Sequence, residues 1–139
     1  MQSSDGFRLV SHVADVQVYA WAESREGLLQ QLVLSLGEIA GFSGGSGEES
    51  VREFHITGGE DIVMIVDLLS DILVWMYVEF VVPRKVELLS WKATNGLRVK
   101  CKGKLIESFE KEIKAVTFHD AEFYKNPSGN WECRLIFDI

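Results

Sequence analysis

From Ile62 to Val82 the chain is almost continuously apolar, interrupted only by Asp67, Ser70, Asp71 and Glu79. The uninterrupted runs fall far short of the ~20 apolar residues needed to span a bilayer. A segment this apolar does not rest on a water-facing surface, so it predicts a buried helix over about 60–80 that the rest of the chain must cover. Asp67, Ser70 and Asp71, at i, i+3 and i+4, leave one narrow polar stripe on it. Glu60 and Asp61 fall in its first turn, where the helix dipole favours negative charge. Pro83 is expected to mark its exit.

The chain has enough material to cover such a rod. At 139 residues it has the size of one domain, read as 1–139, and a domain of that size buries roughly 68–70% of its unfolded surface. Hydrophobic residues make up 47% and charged residues 25%, which excludes a disordered chain, a collagen-like fibre and a small disulfide scaffold.

The remaining elements follow from periodicity. Val16, Val18 and Ala20 alternate with Gln17, Tyr19 and Trp21, a strand pattern. Ser24 is a good N-cap, and Leu28, Leu32, Leu36 and Ile39 behind it predict a helix over about 25–40 that Gly41 stops. The Gly/Ser-rich stretch 41–47 reads as a loop. Residues 51–57 read as a short strand with Phe54 and Ile56 on one face, ended by Gly58-Gly59. After the second helix come Val86 to Trp91, an Asn95-Gly96 hairpin signal, and a strand in which Leu97, Val99 and Cys101 alternate with Arg98, Lys100 and Lys102. Residues 113–124 form a strand, or two with a kink. Asn126-Pro-Ser-Gly129 is a turn, and Trp131, Cys133, Leu135 and Phe137 form the inward face of a last strand. The order is β-α-β-α-β-β-β-β, which predicts an α+β fold with two helices packed on a mixed β-sheet.

Charge narrows the function. The net charge is −7, which argues against unaided grip on RNA or DNA phosphates. Residues 1–80 hold 3 basic and 13 acidic side chains, whereas residues 81–139 hold 11 and 8. Such a two-signed surface suits orientation of a protein partner. The basic row of Arg98, Lys100, Lys102 and Lys104 carries no interleaved aromatics for base stacking and reads as a solvated sheet face. Cys101 and Cys133 form no C-x-x-C pair and lie on apolar strand faces as small hydrophobes. With no basic, apolar leader at the start, they suit a reducing cytoplasm.

No phosphate-binding loop, dinucleotide fingerprint, nucleophile elbow or H-E-x-x-H motif is present, and His12, His55 and His119 are isolated in sequence. The oxygen-rich ends of the chain are more informative. Asp138 and the carboxylate of Ile139 leave directly from the last strand, and Asp15 sits early in the first. If those strands are neighbours, three anionic groups converge and require a proton or a cation between them. All-oxygen donors suit a hard divalent ion: Ca²⁺, Mg²⁺ or Mn²⁺.

Three segments carry a resemblance. His12-Val-Ala-Asp15 resembles the His-Thr-Ala-Asp motif of the archease family. Lys114-Ala-Val-Thr-Phe-His119 resembles its Lys-Ala-Val/Ile-Thr-Tyr/Phe-His, and the final Phe137-Asp138-Ile139 resembles its closing hydrophobic-Asp-Ile. Val13 departs from the family threonine, and Ala22-Glu-Ser24 and the 41–47 loop are also unlike typical members. The resemblance implies a non-catalytic accessory protein of the RtcB-type RNA-splicing ligase. Such a protein promotes ligase guanylylation and multiple turnover in tRNA splicing, and it can broaden nucleotide use. It further implies metal ligation by Asp15, Asp138 and Ile139, with Ca²⁺ favoured, and makes Lys114 and His119 candidates for facing the partner. On a regular strand Lys114 and His119 would point to opposite sides, as would His12 and Asp15. The alternatives are a general chaperone-like protein, which needs a large exposed apolar patch, and a metal-dependent hydrolase using the same carboxylates. The apolar content itself reads as one core.

Overall fold

The computed structural model describes residues 4–139. In chain order the elements are β1 (Gly6–Ser11), β2 (Asp15–Ala22), α1 (Arg25–Ala40), β3 (Phe42–Ser43), β4 (Glu49–Ile56), α2 (Asp61–Glu79), β5 (Val81–Lys92), β6 (Gly96–Leu105), β7 (Ser108–Phe109), β8 (Ala115–Lys125) and β9 (Trp131–Asp138).

Local chemistry sets these boundaries. The Gly27 N–H donates to Ser24 Oγ (2.9 Å), so the capping residue expected from the sequence opens α1. Gly41 closes it with a φ of 64°, where a side chain would be strained. Helix α2 has no side-chain cap and ends at Phe80, in the left-handed region at φ 56°. Pro83 is therefore not the helix exit. It lies inside β5 at a register shift, on an edge strand where proline is tolerated.

The class is α+β, but the expected mixed sheet is instead antiparallel throughout. One sheet runs β1-β2-β9-β8, a second runs β4-β6-β5, and β3 pairs only with β7. The reason is connectivity. β1–β2, β5–β6 and β8–β9 are hairpin neighbours, β2 and β9 meet from opposite ends of the sequence, and no crossover joins parallel partners.

The core lies between the helices and the sheets. Leu28, Leu29, Leu32 and Leu36 of α1 are fully buried, as are Met64, Ile65, Leu68, Leu69 and Ile72 of α2. They pack with Val18, Ala22, Leu135 and Phe137 on one sheet and Leu97, Val99 and Cys101 on the other. Trp75 meets Phe54 edge-on at 5.7 Å between centroids. Among the described residues no helix is long and apolar enough to cross a membrane.

Two edges need separate description. On β5, the outward backbone groups are covered by α1. Gln30 donates to Arg84 O and accepts from the Val86 N–H, both at 2.7 Å, and Glu26 accepts from the Leu88 N–H at 2.8 Å. On β8, pairing with β9 breaks between Thr117 and Glu122, and Asp120 takes a φ of 55°. This bulge is the kink expected within 113–124.

Candidate functional site

Asp15 opens β2 and Asp138 closes β9, and the two are direct cross-strand partners. The Ile139 N–H donates to Ala14 O (3.1 Å). A ladder bond between the flanking residues places the Asp15–Asp138 pair at a non-hydrogen-bonded position, where opposed side chains approach most closely. Their neighbours Val16 and Phe137 are buried, so both carboxylates project from the opposite, solvent-facing side of the sheet. Like charges directly opposed across a strand pair repel each other. Such an arrangement favours a cation.

The surrounding backbone frames this pair. The His12 N–H donates to Asp15 O (2.9 Å), which closes a tight turn and leaves Val13 fully exposed at its tip. His12 is thus a turn residue, and the strand-face opposition expected between it and Asp15 does not apply. Across the sheet, the Lys114 N–H donates to Asp138 O (2.7 Å), and Ala115 is the β8 partner of Asp138. Lys114 is exposed just before β8 begins; its main chain bonds Asp138, and the residue lines the groove between segment 108–116 and α2.

His119 falls elsewhere, in the β8 bulge. Its Nε2 lies 3.3 Å from Asp120 Oδ2, and its backbone N–H donates to Thr117 Oγ1. A simple opposite-face relation to Lys114 therefore does not hold, because the bulge interrupts the alternation. All three histidines are exposed.

Among the described residues no group of three or more His, Cys, Asp or Glu side chains gathers as a metal site. The side-chain donors at this edge are two aspartates, Asp15 and Asp138. The Ile139 side chain is half-buried against the core, which restrains that residue. All these donors are oxygen, the chemistry that suits a hard cation.

Elsewhere the side chains read as structural. Cys101 and Cys133 are buried, and burial pushes both thiols up to about 12, so neither is a ready nucleophile. The cationic row on β6 is partly balanced across the sheet, Lys102 lying between Val51 and Lys85. Lys104 faces Glu49, Lys100 lies between Glu53 and Glu87, and Arg98 bonds Glu53. The sequence did not reveal the turn that presents Val13 or that the kink within 113–124 exposes Phe118, because both depend on how strands pair.

The chain is thus a two-helix, antiparallel α+β domain with a carboxylate pair where its N- and C-terminal strands meet. Residues 7–139 match the archease protein family, and the chain belongs to that family. It is 26% identical to a protein archease of Pyrococcus abyssi, covering 92% of this chain and 94% of that one. It is 25% identical to a protein archease of Methanosarcina barkeri, covering 99% of each. The fold matches the solution structure of protein 1598 of Methanobacterium thermoautotrophicum (TM-score 0.74, 24% identity, 96% of this chain and 99% of that one). It also matches a Thermotoga maritima crystal structure described as an archease and possible chaperone (TM-score 0.71, 22% identity, 94% of each chain).

Proposed function

We propose that this chain is a non-catalytic activator of an RtcB-type RNA-splicing ligase, promoting its guanylylation and multiple turnover in tRNA splicing and widening its nucleotide use. The observation that carries the reading is the direct cross-strand pairing of Asp15 with Asp138 on the solvent side of the sheet. Membership of the archease family supports the reading.

Asp15, Asp138 and the Ile139 carboxylate would hold one divalent cation, with Ca²⁺ favoured over Mg²⁺ or Mn²⁺. When bound, that ion supplies positive charge that phosphate oxygens can share. Ca²⁺ takes about 6–8 oxygen ligands, more than this edge offers, so positions remain for water or for a partner's groups. The chain's own part is to hold the two carboxylates in register and to present them beside Lys114, within reach of another molecule. His119, on the bulge of the same edge strand, extends that surface. A cytoplasmic setting suits two unpaired thiols.

The test is a single-turnover guanylylation assay of the cognate ligase with and without this protein. Wild type is expected to accelerate the step, and Asp15→Asn, Asp138→Asn or a short extension beyond Ile139 to remove the acceleration while circular dichroism stays unchanged. Folded variants that stimulate as wild type does would overturn the reading.

A second reading, a general chaperone, has its own observation in the exposed Val74, Val78 and Phe80. It predicts suppression of aggregation for unrelated clients without ligase present. Specific RNA turnover by metal-loaded protein alone would instead favour a hydrolase.

A further inference from the structure

Residues 111–114 run without regular structure between β7 and β8, and they end at the carboxylate edge. The run is anchored where it starts: the Lys111 N–H donates to Ala40 O (2.8 Å) at the end of α1. Where it stops, the Lys114 N–H donates to Asp138 O (2.7 Å). The polar main-chain groups of such a run need partners, and whatever supplies them fixes its path.

Tyr77 supplies them from α2. Its hydroxyl donates to Lys111 O (2.9 Å) and accepts from the Ile113 N–H (2.7 Å), so one oxygen spans the run. Its ring packs on Phe109 at 4.8 Å between centroids, and the Ile113 side chain is buried. Burial holds the phenol above its ordinary pKa, which keeps on the hydroxyl the proton it donates. The helix behind it is a firm base, because Ile72, Trp75 and Met76 are buried in the core.

The next N–H along the chain from Ile113 is the one that holds Asp138. That aspartate is secured on its other flank by β2, through its pairing with Asp15 and the Ile139 N–H to Ala14 O bond (3.1 Å). The β8 flank is the weaker of the two. β8 pairs with β9 at Ala115, Val116 and Thr117 and then breaks at the bulge. So short a ladder frays at its free end unless something holds that end. The Tyr77 hydroxyl bonds lie at that free end.

We propose that Tyr77 is a positioning residue for the carboxylate edge, a role that rests on the reading of this edge as a cation site. By fixing residues 111–113 it keeps the Lys114 N–H on Asp138 O, and so keeps Asp138 in register opposite Asp15. The edge is thereby built by three elements: β2 and β9 carry the carboxylates, and α2 sets the place of one of them.

The test compares the full chain as wild type, Tyr77→Phe, Asp15→Asn and Gln30→Ala. Tyr77→Phe retains the ring that packs on Phe109 and loses the oxygen; circular dichroism checks its fold. Gln30→Ala opens main-chain bonds on the distant β5 edge and controls for general destabilisation. In calorimetric titration with Ca²⁺, Tyr77→Phe should bind about three- to tenfold more weakly than wild type, as expected for a group that orients a ligand without being one. Gln30→Ala should bind as wild type does. In metal-free protein, amide exchange at Lys114 should quicken about tenfold more in Tyr77→Phe than exchange at the β4–β6 amides does. Calcium binding in Tyr77→Phe equal to wild type, equal weakening in Gln30→Ala, or unchanged exchange at Lys114 overturns the proposal. Calcium uptake absent from wild type, or unaltered in Asp15→Asn, overturns the cation reading instead, and exchange at Lys114 then decides alone whether Tyr77 positions the edge.

Discussion

β5 and β8 both end a sheet, and the fold treats the two strands in opposite ways. β5 is covered: Gln30 and Glu26 reach from α1 and satisfy the backbone groups of Arg84, Val86 and Leu88. β8 is broken by a bulge, carries the exposed Phe118, and begins beside Lys114 and Asp138. An uncovered edge is an invitation to pairing with other chains, and a bulge blunts it without hiding it. The contrast separates a side of the molecule committed to stability from a side left available for contact.

Substitutions should divide along the same line. Gln30→Ala removes two hydrogen bonds and leaves the partly buried Val86 N–H unpaired, an expected loss of about 1–3 kcal/mol in urea unfolding. Glu26→Ala should cost less, because the Leu88 contact is exposed. At the open edge the sign reverses. Asp138→Asn relieves a like-charge cross-strand pair and should raise stability by about 0.2–1 kcal/mol in chelator-treated, low-salt buffer. A marked loss there instead would show that the pair is structural, and the contrast would fail.

The cysteines sharpen the comparison further, one in each sheet. Burial raises both thiols from 9.0 to about 12. In the unfolded chain they ionise first, so their contribution to stability is intact below pH 9 and is lost as pH rises from 9 towards 12. Urea midpoints at pH 8 and pH 10 measure this. Iodoacetamide should label neither thiol in the folded protein at pH 8. Faster labelling of Cys133, whose β8 neighbour is Phe123, would show that the open edge breathes more than the covered one.

Much of the local structure was legible in the sequence, because it rests on nearby residues. Ser24 and Gly41 bound α1, and the phase of Val16, Val18 and Ala20 oriented β2. Asn95-Gly96 marked the β5–β6 connection, where Gly96 takes a φ of 93°. The errors were non-local. β1 escaped notice because its faces are only half-buried and alternate weakly, while β3 and β7 have two residues each. Whether β2 and β9 pair, and in which direction, depends on contacts between distant segments that periodicity does not encode.

The candidate site divides in the same way. Asp15 and Asp138 were identifiable as the polar ends of alternating strands, and the resemblance joined them before their register was known. Val13 at its turn and His119 on its bulge became intelligible only through the backbone bonds around them. The α2 groove was invisible because Val74 and Val78 have the composition of a core, and only packing shows that nothing covers them.

The meeting of Asp15 with Asp138 also has a consequence for biosynthesis. Closing a loop between such distant residues comes late, after the local hairpins and helices have formed. On the ribosome, the opening aspartate must wait until the final strand has emerged and found its place. A chain cut short before β9 would lack this acidic pair however well its helices had formed, so display of the pair reports that β9 has been made and has docked beside β2.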